Sequence, residues 1–207
     1  MIVDLKDVFK VLIEDPIYCI VLFWSYFYRI SIAVRSTVTI GKKLCLKGWP
    51  VIETINGGTV TIGNNVTLYS TKRHYFALLD GPVRLFAEDC GKIDVGDNTR
   101  INGATIHARK GVYIGKNCLI AANTSIVDSN GHKLCLKCPE QRINSVDEPV
   151  SVIIEDNVWI GVNCLILKGV TIGAGSVIGA YNVVSKSVEP NSVLYPPTLG
   201  RGECDRR

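Results

Sequence analysis

The segment from Val127 to Cys138, VDSNGHKLCLKC, holds a histidine that two kinds of chemistry could use. His132, Cys135 and Cys138 form an H-x-x-C-x-x-C run, the spacing of half a zinc site. Asp128 and His132 form a D-x-x-x-H pair, in which the imidazole takes a proton as general base while the carboxylate accepts its other N–H and fixes the tautomer. A closed structural zinc site needs a fourth ligand, and no second C-x-x-C or H-x-H pair stands at a convincing spacing. His74 and His107 are distant in the sequence. Choosing between the two chemistries requires knowing what scaffold carries His132.

The scaffold is written in a repeat. Ile154, Ile160, Ile166, Ile172, Ile178 and Val184 recur every six positions, a period that neither a helix nor an isolated amphipathic strand produces. The same period returns in Ile114, Ile120 and Ile126, and more briefly in Val95 with Ile101 and Ile62 with Leu68. Hexapeptides of this kind describe a parallel β-helix in which each unit forms one short flat side and its apolar residue points inward. Three units per coil would stack Ile154 on Ile172 at the sheet spacing of about 4.8 Å. Gly161, Gly173 and Gly179 directly follow repeat isoleucines, where glycine is expected to supply the backbone angles of a sharp corner. Cys118 and Cys164 each fall four residues after a repeat isoleucine, a position that asks for a small buried side chain.

The runs IGKNCLIAANTSIVDSNGH and, most specifically, PVSVIIEDNVWIGVNCLILKGVTIGAGSVIGAYNVVSKSVEPNSV resemble the hexapeptide-repeat acyltransferases, and more narrowly the sugar and polysaccharide O-acetyltransferases related to maltose and galactoside acetyltransferases. The resemblance covers about residues 60 to 193. It implies an all-β fold, a left-handed parallel β-helix, as a homotrimer with active sites between neighbouring prisms. It divides the chain into an apolar, aromatic helical segment at 1–37, a repeat domain at 38–193 with loops near 69–92 and 127–152, and a tail at 194–207.

The family's catalytic histidine follows this same run of coils, and His132 in SNGHKL is the matching residue; Asp128 is its expected orienting partner. The resemblance implies an acetyl group carried by acetyl-coenzyme A as co-substrate, with no metal. GAYNVVSK matches the family's GAGSVVTK, which puts Ala180, Ser185 and Lys186 on the coenzyme and Trp159 and Gly161 of VWIG nearer the thioester. Zinc carbonic anhydrases share the fold but use three histidines, two of them close in sequence, a pattern not seen here. Two departures matter. LYPPTLGRGE replaces the usual Gly-Asn-Pro-Ala continuation, where Arg201 is the available phosphate contact, and INGATIHARKG has Gly103 and Arg109 where the small-sugar enzymes carry asparagine and aspartate. Asn102 is then the substitute acceptor contact.

The first loop, YSTKRHYFALLDGPVRL, offers Tyr69, Tyr75 and Phe76 for a sugar face and Lys72, Arg73 and His74 for a phosphate, or else covers the open side of the prism. Net charge is only +4 over 207 residues with no long basic block, which gives little reason to expect nucleic-acid binding. Eight scattered cysteines suit free thiols in a reducing cytoplasm. Residues 17–34, IYCIVLFWSYFYRISIAV, have too short an uninterrupted apolar part to cross a bilayer. They fit an interfacial anchor on the inner face of the membrane, or a helix packed on the domain or between subunits. The expected activity is O-acetylation of a sugar or cell-surface polysaccharide precursor. The alternatives are N-acetylation of an amino sugar or amino acid, or a non-catalytic repeat scaffold.

Overall fold

An apolar residue every six positions can always face inward only if the backbone turns every six, and three such turns close a triangle. The structure, a computed structural model, describes residues 15–73, 75 and 79–196. Its strands form three parallel sheets of six, seven and six strands, the faces of a triangular prism. The first face contains Val38–Ile40, Thr59–Ile62, Lys92–Val95, Gly111–Ile114, Val152–Ile154 and Thr171–Ile172. The second contains Cys45–Lys47, Thr67–Tyr69, Arg100–Asn102, Leu119–Ile120, Trp159–Ile160, Val177–Ile178 and Val193–Leu194. The third contains Val51–Thr54, Arg84–Ala87, Thr105–Ala108, Ser125–Val127, Leu165–Ile166 and Val183–Val184. Each coil takes one strand from each face in turn.

The repeat residues stack as the period requires: Ile154 on Ile172, Ile160 on Ile178 and Ile166 on Val184. The columns continue through both loops, with Ile114 on Ile154 and Leu68 on Ile101, so one buried aliphatic core runs the length of the prism. The corners differ from the sequence expectation. Left-handed backbone occurs two residues after the glycine position, at Asn65, Asn98, Asn117 and Asn157 along one corner and Asn123 and Asn163 along the next. Asparagine tolerates that region, and its side chain adds a ladder from Asn65 to Asn98 (2.9 Å), Asn117 (3.1 Å) and Asn157 (3.2 Å). The glycines serve close approach instead. A Cβ on Gly161 would lie 2.6 Å from the Ala180 nitrogen of the next coil.

Two insertions interrupt the coils. The first occupies residues 70–83 and ends earlier than expected, because Arg84–Ala87 and Lys92–Val95 are strands. The second occupies residues 128–151 and carries a single 3-10 helix, Pro139–Asn144. His74, Phe76 and Arg201 lie outside the described residues.

The described part of the N-terminal segment forms the helix α1 (Pro16–Ala33), started by Pro16 and by Asp15, whose carboxylate accepts the Tyr18 N–H at 3.0 Å. Tyr18, Ser25 and Ile32, spaced seven apart, make its buried stripe, and Ile32 joins the prism core. A terminal coil leaves backbone groups without a neighbouring strand. Here Ser25 donates to the Gly48 carbonyl (3.1 Å), Tyr28 to Pro50 (2.7 Å), Arg29 to Leu44 (3.2 Å) and Arg35 to Ile52 (2.8 Å). The helix is therefore packed on the domain as its cap.

Candidate active site

His132 sits in the second insertion, which leaves the prism at the corner between the third and first faces. Hydrogen bonds build the root of this loop. The Asn130 N–H donates to Asp147 Oδ2 (2.9 Å), the Asp147 N–H to the Gly131 carbonyl (3.3 Å) and the Val150 N–H to the Asp128 carbonyl (2.8 Å). Lys168, from the next coil, donates to Asp147 Oδ2 (2.6 Å) and the Glu148 carbonyl (3.2 Å). The Lys168 ammonium and the Asn130 N–H together hold the Asp147 carboxyl below the usual carboxylate range.

Above this root His132 is exposed, with Nδ1 3.1 Å from the Ser145 carbonyl oxygen. A carbonyl oxygen can only accept, so the bond requires the proton on Nδ1 and leaves the Nε2 lone pair free. A general base working through Nε2 needs this tautomer. Ser145 is held in turn, its hydroxyl donating to the Arg142 carbonyl (2.8 Å) and accepting the Lys133 N–H (2.9 Å).

Asp128 does not orient His132. Its carboxylate is buried, with Oδ1 accepting the Arg109 N–H (2.9 Å) and Oδ2 accepting those of Arg109 (3.1 Å), Lys110 (2.7 Å) and Gly111 (2.7 Å). Two residues after the inward-facing Ile126, the chain has reached a corner, and the side chain turns onto the preceding coil. The Ser145 carbonyl takes the part that the D-x-x-x-H spacing gave to Asp128, and no sequence pattern marks a backbone carbonyl.

Ser185 and Lys186 stand exposed at the same corner as the His132 loop, on the last full coil. Trp159 is exposed on the second face, and Gly161 and Ala180 lie at the corner between the second and third faces. Within one chain these residues divide between two corners. Beside Ala180, Tyr181 is exposed and holds φ at 62° where Asn123 and Asn163 occupy this corner in the two coils before. Its signal was the tyrosine of GAYN, read against the asparagine of GVNC.

The two acceptor candidates are not open to solvent as expected. Asn102 is buried, its amide donating to the Ile120 carbonyl (3.2 Å), beneath the first insertion where Leu79 covers Gly103. Tyr75 is half-buried, its ring 4.8 Å from that of the buried Tyr69. Arg73 pairs with Asp15 at 2.8 Å. The described part of this insertion acts as a cover on the prism and fastens α1 to it.

Cys118 and Cys164 are buried, donate to the Glu155 and Gly179 carbonyls (3.1 Å each), and have thiols pushed up by burial, as their packing role requires. His107 stacks on Phe86 and meets Glu88 at 3.0 Å. Among the described residues no group of three or more His, Cys, Asp or Glu side chains could hold a metal ion.

Residues 151–186 match the bacterial transferase hexapeptide (six repeats), and residues 92–127 the hexapeptide repeat of succinyl-transferase. The chain is 31% identical over 145 residues to the Escherichia coli protein WbbJ, named for an O-acetyl transferase role in lipopolysaccharide biosynthesis; the match covers 67% of this chain and 68% of WbbJ. It is 40% identical over 102 residues to the galactoside O-acetyltransferase of Escherichia coli, covering 49% of this chain and 48% of that one. Against several curated relatives the chain spans only half of their length or less. A variant of AntD, an N-acyltransferase from Bacillus cereus solved with dTDP and coenzyme A, shares the fold at a TM-score of 0.57 and 20% identity over 82% of each chain. Repeat, prism and matches together define a left-handed parallel β-helix of the transferase kind. The chain belongs to the hexapeptide-repeat acyltransferase family, in the branch of the sugar and polysaccharide O-acetyltransferases.

Proposed function

We propose that the chain transfers an acetyl group from acetyl-coenzyme A to a hydroxyl of a sugar or cell-surface polysaccharide precursor in the cytoplasm, with His132 as general base. The observation that carries this reading is the bond from His132 Nδ1 to the Ser145 carbonyl, which leaves Nε2 as the acceptor atom. Nε2 takes the proton of the acceptor hydroxyl as its oxygen bonds to the thioester carbonyl carbon. The tetrahedral adduct collapses, the C–S bond breaks, and the leaving thiolate recovers the proton from His132. Lys186 and Ser185 offer a cation and a hydroxyl to the anionic end of the coenzyme, while Trp159, Gly161 and Ala180 border the path of its pantetheine arm and thioester. The sugar acceptor is supported by the relatives' names, WbbJ and the galactoside O-acetyltransferase.

A homotrimer belongs to this proposal. The named residues lie on two corners of one prism, so a ligand that touches both sets needs a second copy. The insertion that carries His132 also holds Leu134, Leu136 and Ile143, each more than 70% exposed, an apolar surface suited to a neighbouring prism.

Calorimetric titration with acetyl-coenzyme A, followed by turnover on a panel of glycans, tests the reading. His132→Ala is expected to lower kcat about a hundredfold to ten-thousandfold with coenzyme affinity unchanged. Lys186→Ala is expected to weaken coenzyme binding. Full activity in His132→Ala would remove the histidine from the mechanism, and no binding at millimolar acetyl-coenzyme A would remove the donor.

A further inference from the structure

The outward face of α1 differs from the rest of the surface. Ile20, Phe23, Trp24, Tyr26, Phe27 and Ile30 are all between 47% and 62% exposed. Their rings touch one another, Phe23 with Phe27 at 5.0 Å, Phe23 with Trp24 at 5.9 Å and Tyr26 with Phe27 at 5.8 Å. Soluble chains rarely leave so continuous an apolar, aromatic patch uncovered without a use for it.

Charge indicates what covers the patch. From Pro16 to Thr54, through the helix and the first coil, the sequence carries Arg29, Arg35, Lys42, Lys43 and Lys47 against the single acid Glu53, a net +4, which equals the +4 of the chain as a whole. The net charge is thus concentrated on the helix and the first coil. Arg35, Lys42 and Lys43 are exposed there, as is Glu53, and Asp15, the residue before the helix, is paired with Arg73 at 2.8 Å. Tryptophan, tyrosine and phenylalanine beside lysine and arginine suit the boundary between lipid headgroups and acyl chains, and the cations suit lipid phosphates.

The helix is long and apolar enough to cross a membrane by length and composition. Crossing would, however, strip away its bonds to Gly48, Pro50 and Leu44 and pull Ile32 from the core. Lying flat keeps them all. We propose that α1 docks this end of the prism onto an anionic bilayer surface, with Phe23, Trp24, Tyr26 and Phe27 at the headgroup boundary and Arg35, Lys42 and Lys43 on the lipid phosphates. This surface is independent of the acetyl-transfer reading.

The test is co-sedimentation of the full chain with vesicles of phosphatidylcholine alone and of phosphatidylcholine with phosphatidylglycerol, at low and high salt. The parent is expected to partition onto the anionic vesicles and to be released by salt. Phe23→Ser/Trp24→Ser/Phe27→Ser should lose at least about tenfold in partitioning, and Lys42→Glu/Lys43→Glu at least about 25-fold on anionic vesicles only, since each basic residue contributes about fivefold near such a surface. All these side chains are exposed, and circular dichroism with the thermal midpoint checks that each variant folds. The proposal is overturned if the parent ignores both vesicles, or if the triple variant partitions like the parent. It is equally overturned if the triple variant changes only the sedimenting mass, because the face is then covered by a second copy.

Discussion

Asp128→Ala separates a structural carboxylate from a catalytic one. The substitution removes the sole side-chain acceptor of three backbone N–H groups, on Arg109, Lys110 and Gly111, at a corner where the Gly111 bond is buried. Each buried donor left without a partner costs about 1–3 kcal/mol, less where water can enter beside Arg109 and Lys110. The total is then about 3–6 kcal/mol. For a chain of this size each kcal/mol lowers Tm by about 2–4 °C, so a fall of roughly 6–24 °C is expected. Asp128→Asn should be far milder. An amide oxygen in the place of Oδ2 still meets all three N–H groups, and the loss is the charge and the shorter Arg109 bond, about 1–3 kcal/mol. Differential scanning calorimetry at one fixed protein concentration measures both variants, and turnover well below the transition measures what catalysis remains. A Tm for Asp128→Ala within about 2 °C of the parent, joined to a large loss of kcat, would refute the structural assignment and restore Asp128 as the partner of His132.

Lys168→Met should loosen the His132 loop, lowering turnover while acetyl-coenzyme A affinity stays near the parent's, and the Asp147 carboxyl should titrate closer to the ordinary carboxylate range when followed by NMR. The sign follows from the depressed value: a carboxyl stabilised in the folded state contributes above its unfolded pKa of about 3.9 and loses that contribution as pH falls through the folded value. Acid should therefore release the loop in the parent, and neutral to alkaline pH should not. Tyr181→Asn relieves a bulky residue held at φ 62° and should raise Tm by a few degrees, on the order of 1 kcal/mol of relieved strain. A simultaneous weakening of acetyl-coenzyme A binding would make Tyr181 part of the donor groove, whereas an unchanged or lower Tm would show that the strain argument fails.

The core was legible because three hexapeptides make a coil, so the stacking of Ile154 on Ile172 follows from counting alone. Counting stops working at an insertion. The pairing of Ile114 with Ile154 spans the whole His132 loop, and nothing in the period reveals it. The corner glycines were recognised at the right positions for the wrong reason, since a sequence does not say how near the next backbone lies. The proposed site was marked in the sequence as a place but not as a constellation. His132 stood out by interrupting the period, while the groups that position it were hidden. Ser145 acts through a carbonyl that every residue has, and Lys168 and Asp147 look like surface charges. Asp128 was misread because neighbours in sequence part company at a corner, where the nearest backbone belongs to another coil.

The same geometry explains why the proposed base stands where the repeat is interrupted. In a regular coil the inward positions are filled by aliphatic columns and the corner positions by glycine, by asparagine ladders, or by buried hydroxyls such as Thr99 and Thr124, which donate to the carbonyls of the next coil at 2.9 and 2.8 Å. Polar groups used in this way are already satisfied and have no valence left for a substrate. The segment that leaves the stack instead holds His132 exposed, with Nδ1 on the Ser145 carbonyl. The loop must still be fixed if Nε2 is to be aimed. The next coil supplies the constraint, with Lys168 on the return limb and the Gly169 N–H on the Val150 carbonyl at 2.9 Å. The stack thus sets where the His132 imidazole points.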